Sequence, residues 1–405
     1  MAPPKDRLVA RSRGIYCTIV AQNYLPQSLV LYDSIRKEEP SRLFVILVVD
    51  GNRKELETGR PNLVVVDTTI LGLTDREVLD LATIYDVVEF STAVKPLFLK
   101  YLLELDEQAI YLDPDTYVVS PLAELEALID QHHIVLTPHL LAPIQPGKTF
   151  QSEINTLTVG VHNLGFCAVG RGALPFLDWW WSHLERECLI YPLLGLFVDQ
   201  KWTDIGAVMF HAFSFGHYGY NIGHWNLHER RIEETQGRRL VVPSNDQVRL
   251  FHFSGFDPSD PESISVRQNI SLKDKGLGSA ALTKLSQEYA ALLIDARKEL
   301  GVSPSYPFTR DLQGKKLSKR LRKTFRKDLL TDDSPPPSPF ESADIEAFAG
   351  WRRSSVGRRA GSAFADAALG FKYSFPDAYS AIKSAAPRQF SWMRKHLLGQ
   401  ARIRR

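Results

Sequence analysis

Two carboxylates separated by one proline follow an apolar run near residue 110. Residues 109–112 are apolar and lead directly into Asp113, Pro114 and Asp115. At the carboxyl end of a parallel strand, where ligands of α/β sheets collect, neighbouring carboxylates repel each other unless a hard cation or a shared proton neutralises them. Proline biases Asp113 towards extended backbone, which suits a rigid chelating turn. A solvated Asp-Pro-Asp turn is the alternative, and the triplet alone does not decide between the two.

The residues that follow the first predicted strands are further candidates. Three apolar, β-branched runs predict buried parallel strands: 14–20, 43–49 and 63–66. Ala21 and Asn23 follow the first run, and Asp50 follows the second. These residues are therefore expected near the same edge of a sheet as the carboxylate pair.

Single polar residues inside later apolar segments are further candidates. Lys95 is either a snorkelling surface residue or directed at an anionic site. Asn163 must be hydrogen-bonded, either structurally or to a ligand. Asp199 and Gln200 follow a short apolar segment, and His252 lies in a short predicted strand, where a lone histidine is usually a satisfied core residue.

Apolar spacing between these sites predicts alternating strands and helices. The predicted helices are one opened by Pro26 and those at 75–86, 91–105, 120–129 (capped by Ser120) and 279–299, and further strands are predicted at 109–112, 133–137 and 250–253. Residues 142–156 are expected to form a mobile loop, and the helix that holds Trp179, Trp180 and Trp181 either packs on the sheet or offers a sugar-stacking platform. This succession predicts a doubly wound α/β fold.

The charge of the 405-residue chain is divided unevenly. Residues 1–309 contain 28 Lys and Arg against 38 Asp and Glu, whereas residues 310–405 contain 21 against 9. We therefore expect a body at 1–309 and a basic, helical C-terminal extension at 310–405, with a stiff Pro-rich linker near 334–339. Three cysteines without close spacing favour a reducing compartment, and no apolar run is long enough to span a membrane.

The extension opens with a predicted basic amphipathic helix. Within residues 315–330, apolar side chains recur every four residues at Leu317, Leu321, Phe325 and Leu329, with Lys and Arg between them. Interfacial contact with an anionic membrane and packing against the body or an oligomer partner remain open. Nucleic-acid binding is disfavoured because no nucleic-acid-reading motif accompanies the charge.

Six short motifs in their order along residues 14–260 resemble the GT-A nucleotide-sugar glycosyltransferases, most closely glycosyltransferase family 8. The motifs are Ala21-Gln22-Asn23-Tyr24, Glu89 to Pro96, Asp113-Pro114-Asp115, Asn163-Leu164-Gly165-Phe166, Asp199-Gln200 and His252-Phe253-Ser254-Gly255. The chain departs from the family pattern where Gln22 replaces an Asp, Lys95 replaces an Arg, and Phe256-Asp257-Pro258 replaces Lys-Pro-Trp.

The resemblance implies a GT-A mixed sheet with flanking helices and a role for each motif. Asp113, Asp115 and His252 would hold Mn²⁺ or Mg²⁺, and an imidazole ligand favours Mn²⁺. Asp199 would hold sugar hydroxyls, and Gln200 would lie under the anomeric carbon. The expected nucleotide-sugar contacts are Ala21, Asn23, Asp50, Lys95, Asp113, Asn163, Ser254 and Gly255.

We therefore expect a metal-dependent enzyme that moves a sugar, with retention, from a nucleotide donor such as a UDP-sugar to a glycan or lipid-linked acceptor. A sugar-1-phosphate nucleotidylyltransferase is an alternative. Such an enzyme requires a Gly-rich loop with basic residues after the first strand, and residues 21–26 contain no such loop. A non-catalytic glycan-binding or assembly protein is a second alternative. The expected location is cytoplasmic, with the basic tail at the inner face of a membrane. The sequence does not predict the oligomeric state.

Overall fold

The computed structural model describes residues 13–51, 59–145, 152–267, 270–272, 278–301, 304–331 and 335–385. The chain divides into two compact units. The first unit comprises residues 1–73, 91–188 and 197–306, and the second comprises 74–90, 189–196 and 307–405. The body-and-extension boundary at residue 309 stays a prediction. Residues 146–151 of the predicted loop, residue 334 of the predicted linker and the chain beyond 385 lie outside the described residues.

The described strands confirm an α/β protein. They are β1 (Ile15–Val20), β2 (Phe44–Val48), β3 (Leu63–Asp67), β4 (Gln108–Leu112), β5 (Thr116–Val118), β6 (Ile134–Pro138), β7 (His162–Gly170), β8 (Ile190–Tyr191), β9 (Leu196–Phe197), β10 (Phe213–Ser214), β11 (Arg231–Thr235), β12 (Arg238–Val242), β13 (Asp246–Gln247), β14 (Leu250–His252), β15 (Ser263–Ser265) and β16 (Ile270–Ser271).

The helices lie between these strands and in the C-terminal region. They are α1 (Leu25–Glu38), α2 (Asp75–Ile84), α3 (Val87–Ala93), α4 (Lys95–Leu105), α5 (Leu125–His132), α6 (Glu153–Val159), α7 (Leu174–Glu187), α8 (Thr203–Met209), α9 (Ala280–Leu300), α10 (Lys319–Thr331), α11 (Ile345–Ser354), α12 (Val356–Ser374) and α13 (Pro376–Ala385).

A seven-stranded mixed sheet forms the centre of the first unit. Its order is β10-β6-β7-β4-β1-β2-β3. Strands β1, β2, β3 and β4 run parallel, whereas β7 is antiparallel to both β4 and β6. Every residue of β1, β2 and β4 is buried, which explains why these strands read as continuous apolar runs in the sequence. The predicted mixed sheet with flanking helices is confirmed.

A small two-stranded sheet brings a distant segment to the end of β4. Strand β14 pairs antiparallel with β5, and His252 lies opposite Thr116 in this register. The Phe253 N–H also donates to the Asp115 carbonyl at 2.8 Å. Because β5 begins directly after Asp115, this pairing carries His252 to the Asp113–Asp115 turn.

Two predicted helices differ from those observed. The predicted helix at 91–105 is divided at Val94, and Pro96 lies in the first turn of α4, where the missing proline N–H costs nothing. The predicted start at Ser120 is wrong, because α5 begins at Leu125. The Ser120 hydroxyl donates instead to the Val248 carbonyl at 2.6 Å, so the chain is still held against the strand region there.

The second unit has a helical C-terminal part, as predicted. Leu321 and Phe325 of α10 are fully buried, and α10 packs against α2 and α12. Arg322 is buried beside them and donates to the carbonyls of Ala82 and Tyr85 at 2.6 Å each. The apolar face of α10 is therefore covered within its own unit. Of the two alternatives left open by the sequence, membrane contact and packing against protein, this helix shows packing against protein.

Among the described residues, no helix combines the length and the apolar character that crossing a bilayer requires.

Candidate functional site

Three potential ligands converge at the carboxyl end of β4. The Asp113 and Asp115 carboxylates and the His252 imidazole each place one ligand atom within 4.8 Å of the others. His252 Nε2 lies 3.1 Å from Asp115 Oδ1 and 3.8 Å from Asp113 Oδ2. The Tyr111 hydroxyl donates to Asp113 Oδ1 at 2.8 Å and orients that carboxylate. The expected convergence of these three residues is thus present in the geometry.

A chain of hydrogen bonds assigns the tautomer of His252. The Gly165 N–H donates to Asn163 Oδ1 at 3.0 Å, which identifies that atom as the oxygen. Asn221 Nδ2 donates to the same Asn163 oxygen at 3.1 Å, so Asn221 Oδ1 faces His252 Nδ1, at 3.0 Å. His252 therefore carries a proton on Nδ1, and Nε2 is directed at the two carboxylates. A metal-ligating histidine is commonly held in this way by a carbonyl oxygen on its other nitrogen.

The absence of a side chain at Gly165 makes room for this arrangement. A Cβ there would lie 2.4 Å from His252 Cε1 and 2.8 Å from Asn163 Oδ1. Two carboxylates and one imidazole suit Mn²⁺, and carboxylates with water suit Mg²⁺. The residues present therefore fit a divalent cation.

The charges of the cluster shift its protonation. Burial opposes the charged form of Asp115, but the charge of His252 holds the pKa of Asp115 below its ordinary value. Burial likewise opposes the charged form of His252, and Asp115 raises the pKa of His252 above its ordinary value. Both shifts favour a proton held between His252 and Asp115 in the absence of metal, and a cation would replace that proton.

Lys95 and Asp199 form a buried ion pair next to the cluster. Lys95 Nζ lies 2.6 Å from Asp199 Oδ2, and the two side chains are 1% and 2% exposed. The ammonium also donates to the Leu164 carbonyl at 2.9 Å and lies 4.1 Å from the centre of the Tyr111 ring. Burial disfavours the ammonium, yet the Asp199 carboxylate raises the pKa of Lys95. Lys95 therefore fixes the orientation of Asp199.

The remaining predicted sugar-side residues are anchored to the backbone. Gln200 accepts from the Leu164 N–H at 3.1 Å and donates to the Val159 carbonyl at 2.8 Å. Asn163 lies in the network that orients His252, and its Nδ2 contacts His139 Nε2 at 3.2 Å. Burial lowers the pKa of His139 to about 4, so this imidazole is neutral near pH 7.

One of the three tryptophans of α7 supports Asp199. Trp180 is fully buried, and its indole N–H donates to the Asp199 carbonyl at 3.1 Å. This side chain therefore packs inside the first unit and cannot be a sugar platform.

The ends of β1 and β2 meet as expected. Gln22 donates to Asp50 twice, from its backbone N–H to Oδ1 at 2.8 Å and from Nε2 to the Asp50 carbonyl at 2.7 Å. Asp50 Oδ2 is buried and has no hydrogen-bond partner among the residues that the structure describes. Ala21 is buried and Asn23 is exposed. This edge thus offers a buried acceptor and an exposed amide.

The turn after His252 brings a basic side chain near the cluster. Gly255 has φ +70°, a conformation that L side chains rarely adopt, and a Cβ there would lie 2.8 Å from Arg267 Cγ. Ser254 precedes this glycine and is partly buried. Arg267 is exposed, and its positive charge contributes to lowering the pKa of Asp115.

Sequence reasoning missed Asn221, Tyr111 and Arg267. Asn221 lies in residues 219–230, where aromatic and amide side chains are frequent, and such residue types suit sugar binding or a loop without indicating a histidine partner. Asn221 has φ +51°, and this left-handed backbone is one that asparagine tolerates. The local sequence around Arg267 does not indicate a role in the site, because Arg267 lies near the cluster only through its packing against the Gly255 turn.

Comparison with known proteins gives distant likenesses. No protein-family model matches the chain. It is 25% identical over 258 residues to the uncharacterized protein YfnF of Bacillus subtilis (strain 168), covering 60% of this chain and 81% of that protein.

Among solved structures, the chain is similar to three glycosyltransferases. With the WbbM bifunctional glycosyltransferase the TM-score is 0.42 at 13% identity, covering 72% of this chain and 52% of that one, so the match spans about half of WbbM. With the galactosyltransferase LgtC the TM-score is 0.38 at 16% identity, and the match covers 68% of this chain and 95% of LgtC. With GlyE of Streptococcus pneumoniae TIGR4 the TM-score is 0.40 at 12% identity, and the match covers 74% of this chain and 67% of GlyE. TM-scores below 0.5 are too low to assign an activity.

Proposed function

We propose that this chain is a metal-dependent glycosyltransferase of the GT-A type that transfers a sugar from a nucleotide donor, a UDP-sugar, with retention. The observation that carries the proposal is the convergence of Asp113, Asp115 and His252 at the carboxyl end of β4, with His252 Nε2 directed at both carboxylates. The acceptor is a glycan or a lipid-linked glycan.

The three ligands would hold Mn²⁺ or Mg²⁺, which as a Lewis acid offsets charge on the leaving nucleotide diphosphate. The protein supplies the position of the donor. Asp50 would accept a hydrogen bond from the nucleoside, because its Oδ2 is a buried acceptor without a partner among the described residues. Asp199, fixed by Lys95, would hold hydroxyls of the transferred sugar.

Gln200 would lie beside the anomeric carbon. Both ends of its amide are held by backbone groups, which keeps the side chain in one orientation. Asn163 and the Gly255 backbone would complete the donor site. Lys95 is committed to Asp199 and Leu164, so its effect on the diphosphate would be indirect.

A panel of nucleotide sugars, assayed with Mn²⁺, with Mg²⁺ and with a chelator, tests the proposal. We expect metal-dependent release of the nucleotide diphosphate from one UDP-sugar. Formation of a nucleotide sugar from UTP and a sugar 1-phosphate would instead show a nucleotidylyltransferase. Binding without release from any donor, with glycan acceptors present, would show a non-catalytic protein.

The exposed guanidinium of Arg267 is proposed to contact the diphosphate. Arg267→Gln is expected to weaken UDP binding about 10- to 100-fold in the presence of Mn²⁺, because charge-assisted hydrogen bonds to phosphate contribute roughly 1.5–3 kcal/mol. Calorimetric titration with UDP measures this. Arg171→Gln is the matched control, since Arg171 directly follows Gly170, which pairs with Gln108 at the opposite end of β4 from Asp113. Equal UDP affinity in wild type and Arg267→Gln would contradict the assignment.

Asn221 is proposed to hold the metal-binding tautomer of His252. Asn221→Leu removes the acceptor for His252 Nδ1–H and is expected to weaken Mn²⁺ binding about 10- to 100-fold. Nitrogen-15 NMR of the His252 ring, recorded without Mn²⁺ and at a pH where the ring is neutral, should show a mixture of tautomers for the variant. Thr137→Val is the control, because it removes one partner of Asn221 Nδ2 and leaves the carbonyl in place. Unchanged Mn²⁺ affinity and an unchanged ring spectrum would rule out the positioning role.

A further inference from the structure

Helix α12 of the second unit turns an apolar face outward. Val356, Phe364 and Phe371 lie within one third of the helix circumference at 100° per residue, and Phe375 continues the same line just after the helix. These four side chains are 58%, 52%, 37% and 58% exposed, in chain order. The exposed Ala360 and Ala367 lie between them. We call these six residues the α12 stripe.

The other side of α12 faces its own unit. Asp366 accepts a hydrogen bond from Lys323 Nζ at 2.5 Å and another from the Tyr191 hydroxyl. Leu369, on the same side, is partly buried. The helix is therefore attached through a polar and mixed side, while its largest apolar side chains face away. This is the reverse of an ordinary surface helix, whose apolar side faces the core.

The chain that follows this helix is strongly basic. Residues 375–405 contain seven Lys and Arg residues against a single acidic residue, Asp377. Lys372, close to the stripe, is exposed. Exposed aromatic side chains followed along the sequence by a basic segment match the chemistry of an anionic bilayer surface, where rings enter the interface and cations meet lipid headgroups.

We propose that the α12 stripe docks on an anionic membrane surface, with α12 lying in the plane of the interface and the basic segment 375–405 supplying electrostatic attraction. The residues proposed here to contact the membrane differ from those of the amphipathic helix predicted from the sequence at 315–330. The apolar side chains Leu321 and Phe325 of α10 are buried, so α10 cannot supply the inserting face. The inference goes beyond the proposed transfer reaction and does not depend on it.

Vesicle sedimentation of the full chain tests the proposal, with neither metal nor nucleotide sugar present. We expect wild type to bind vesicles of 30% phosphatidylglycerol in phosphatidylcholine and to bind pure phosphatidylcholine at least tenfold more weakly. Phe364→Ser/Phe371→Ser leaves the charge unchanged and is expected to weaken binding to the anionic vesicles at least tenfold. Arg402→Gln/Arg404→Gln/Arg405→Gln is also expected to weaken binding to the anionic vesicles at least tenfold, since each cation near such a surface adds electrostatic attraction.

The matched control removes two exposed leucines of the same unit. Leu194→Ser/Leu312→Ser loses side chains that are 57% and 52% exposed and lie outside α12, and its vesicle binding should equal that of wild type. Thermal unfolding of each variant checks that the unit is folded. Wild-type binding by the Phe364/Phe371 variant would overturn the proposal. So would negligible binding by wild type, or a wild-type dimer that this variant converts to a monomer while vesicle binding is unchanged.

Discussion

Asp115→Ala is expected to lower metal-dependent release of the nucleotide diphosphate by more than about a hundredfold. The carboxylate of Asp115 is one of three groups whose ligand atoms lie within 4.8 Å of one another. Its removal leaves one carboxylate and one imidazole, too few ligands to hold a cation firmly against a diphosphate. Lewis-acid stabilisation of a leaving group is worth several kcal/mol, and each 1.4 kcal/mol is tenfold in rate.

Two measurements separate this effect from misfolding. Direct Mn²⁺ titration followed by electron paramagnetic resonance should show weaker binding for Asp115→Ala and for His252→Ala. Asp115→Asn keeps the volume of the side chain and should lose affinity similarly, so a folding defect of the alanine variant does not obscure the result. Asp67→Asn is the control, because Asp67 ends the edge strand β3 and its Oδ1 accepts from the Thr69 N–H rather than facing the cluster. Full metal-dependent turnover in Asp115→Asn would exclude the proposed centre.

The edge of the sheet could be predicted because its information is local. Strands β1, β2 and β4 are buried along their whole length, so each appears as an uninterrupted apolar run that ends where a polar residue begins. Asp50 and Asp113 lie at those ends, and parallel strands bring their carboxyl ends to one edge. Composition and spacing were enough to place them on the same side of the sheet.

His252 could be placed by the order of the motifs, but the way it is held could not. Its position depends on the antiparallel register of β14 with β5, and its tautomer depends on amides at Asn163 and Asn221. These partners are separated by tens of residues, and the role of each amide depends on the positions of the other two side chains in the folded protein. Hydrogen bonds of this kind leave no periodic signal in a sequence.

The C-terminal extension shows the same division between local and distant information. The four-residue spacing of Leu317, Leu321 and Phe325 predicted an amphipathic helix, and both Leu321 and Phe325 are fully buried. What covers them was not predictable, because α2 lies some 240 residues earlier in the chain. An amphipathic pattern indicates that a face will be covered without identifying the covering element.

Breaking the Lys95–Asp199 pair from one side is expected to be strongly destabilising for the first unit. Lys95→Met leaves the Asp199 carboxylate buried without its cation, and Asp199→Leu leaves the ammonium without its anion. An uncompensated buried charge typically costs about 3–5 kcal/mol, so each single variant should lower the free energy of unfolding by that order. Denaturant unfolding monitored by tryptophan fluorescence measures it, since Trp180 donates to the Asp199 carbonyl.

The double variant Lys95→Met/Asp199→Leu distinguishes a structural pair from a catalytic one. With both charges removed, no unpaired ion stays buried, and most of the lost stability should return. Donor turnover should not return, because the carboxylate proposed to hold the sugar hydroxyls is still missing. Lys298→Met is the control for simply losing an ion pair, since Lys298 and Asp295 are 73% and 74% exposed and such pairs contribute little.

Each outcome of this cycle has one physical meaning. A double variant that is stable and inactive, beside unstable single variants, assigns Lys95 to orienting Asp199 and assigns Asp199 to the substrate. A double variant that is both stable and active would show that the pair serves the fold alone, and Asp199 would then lose its place in the proposed donor site. Single variants as stable as wild type would mean that water reaches the pair, contrary to side-chain exposures of 1% and 2%. The stability and the donor turnover of the double variant together thus decide whether this ion pair contributes to catalysis or only to the stability of the core.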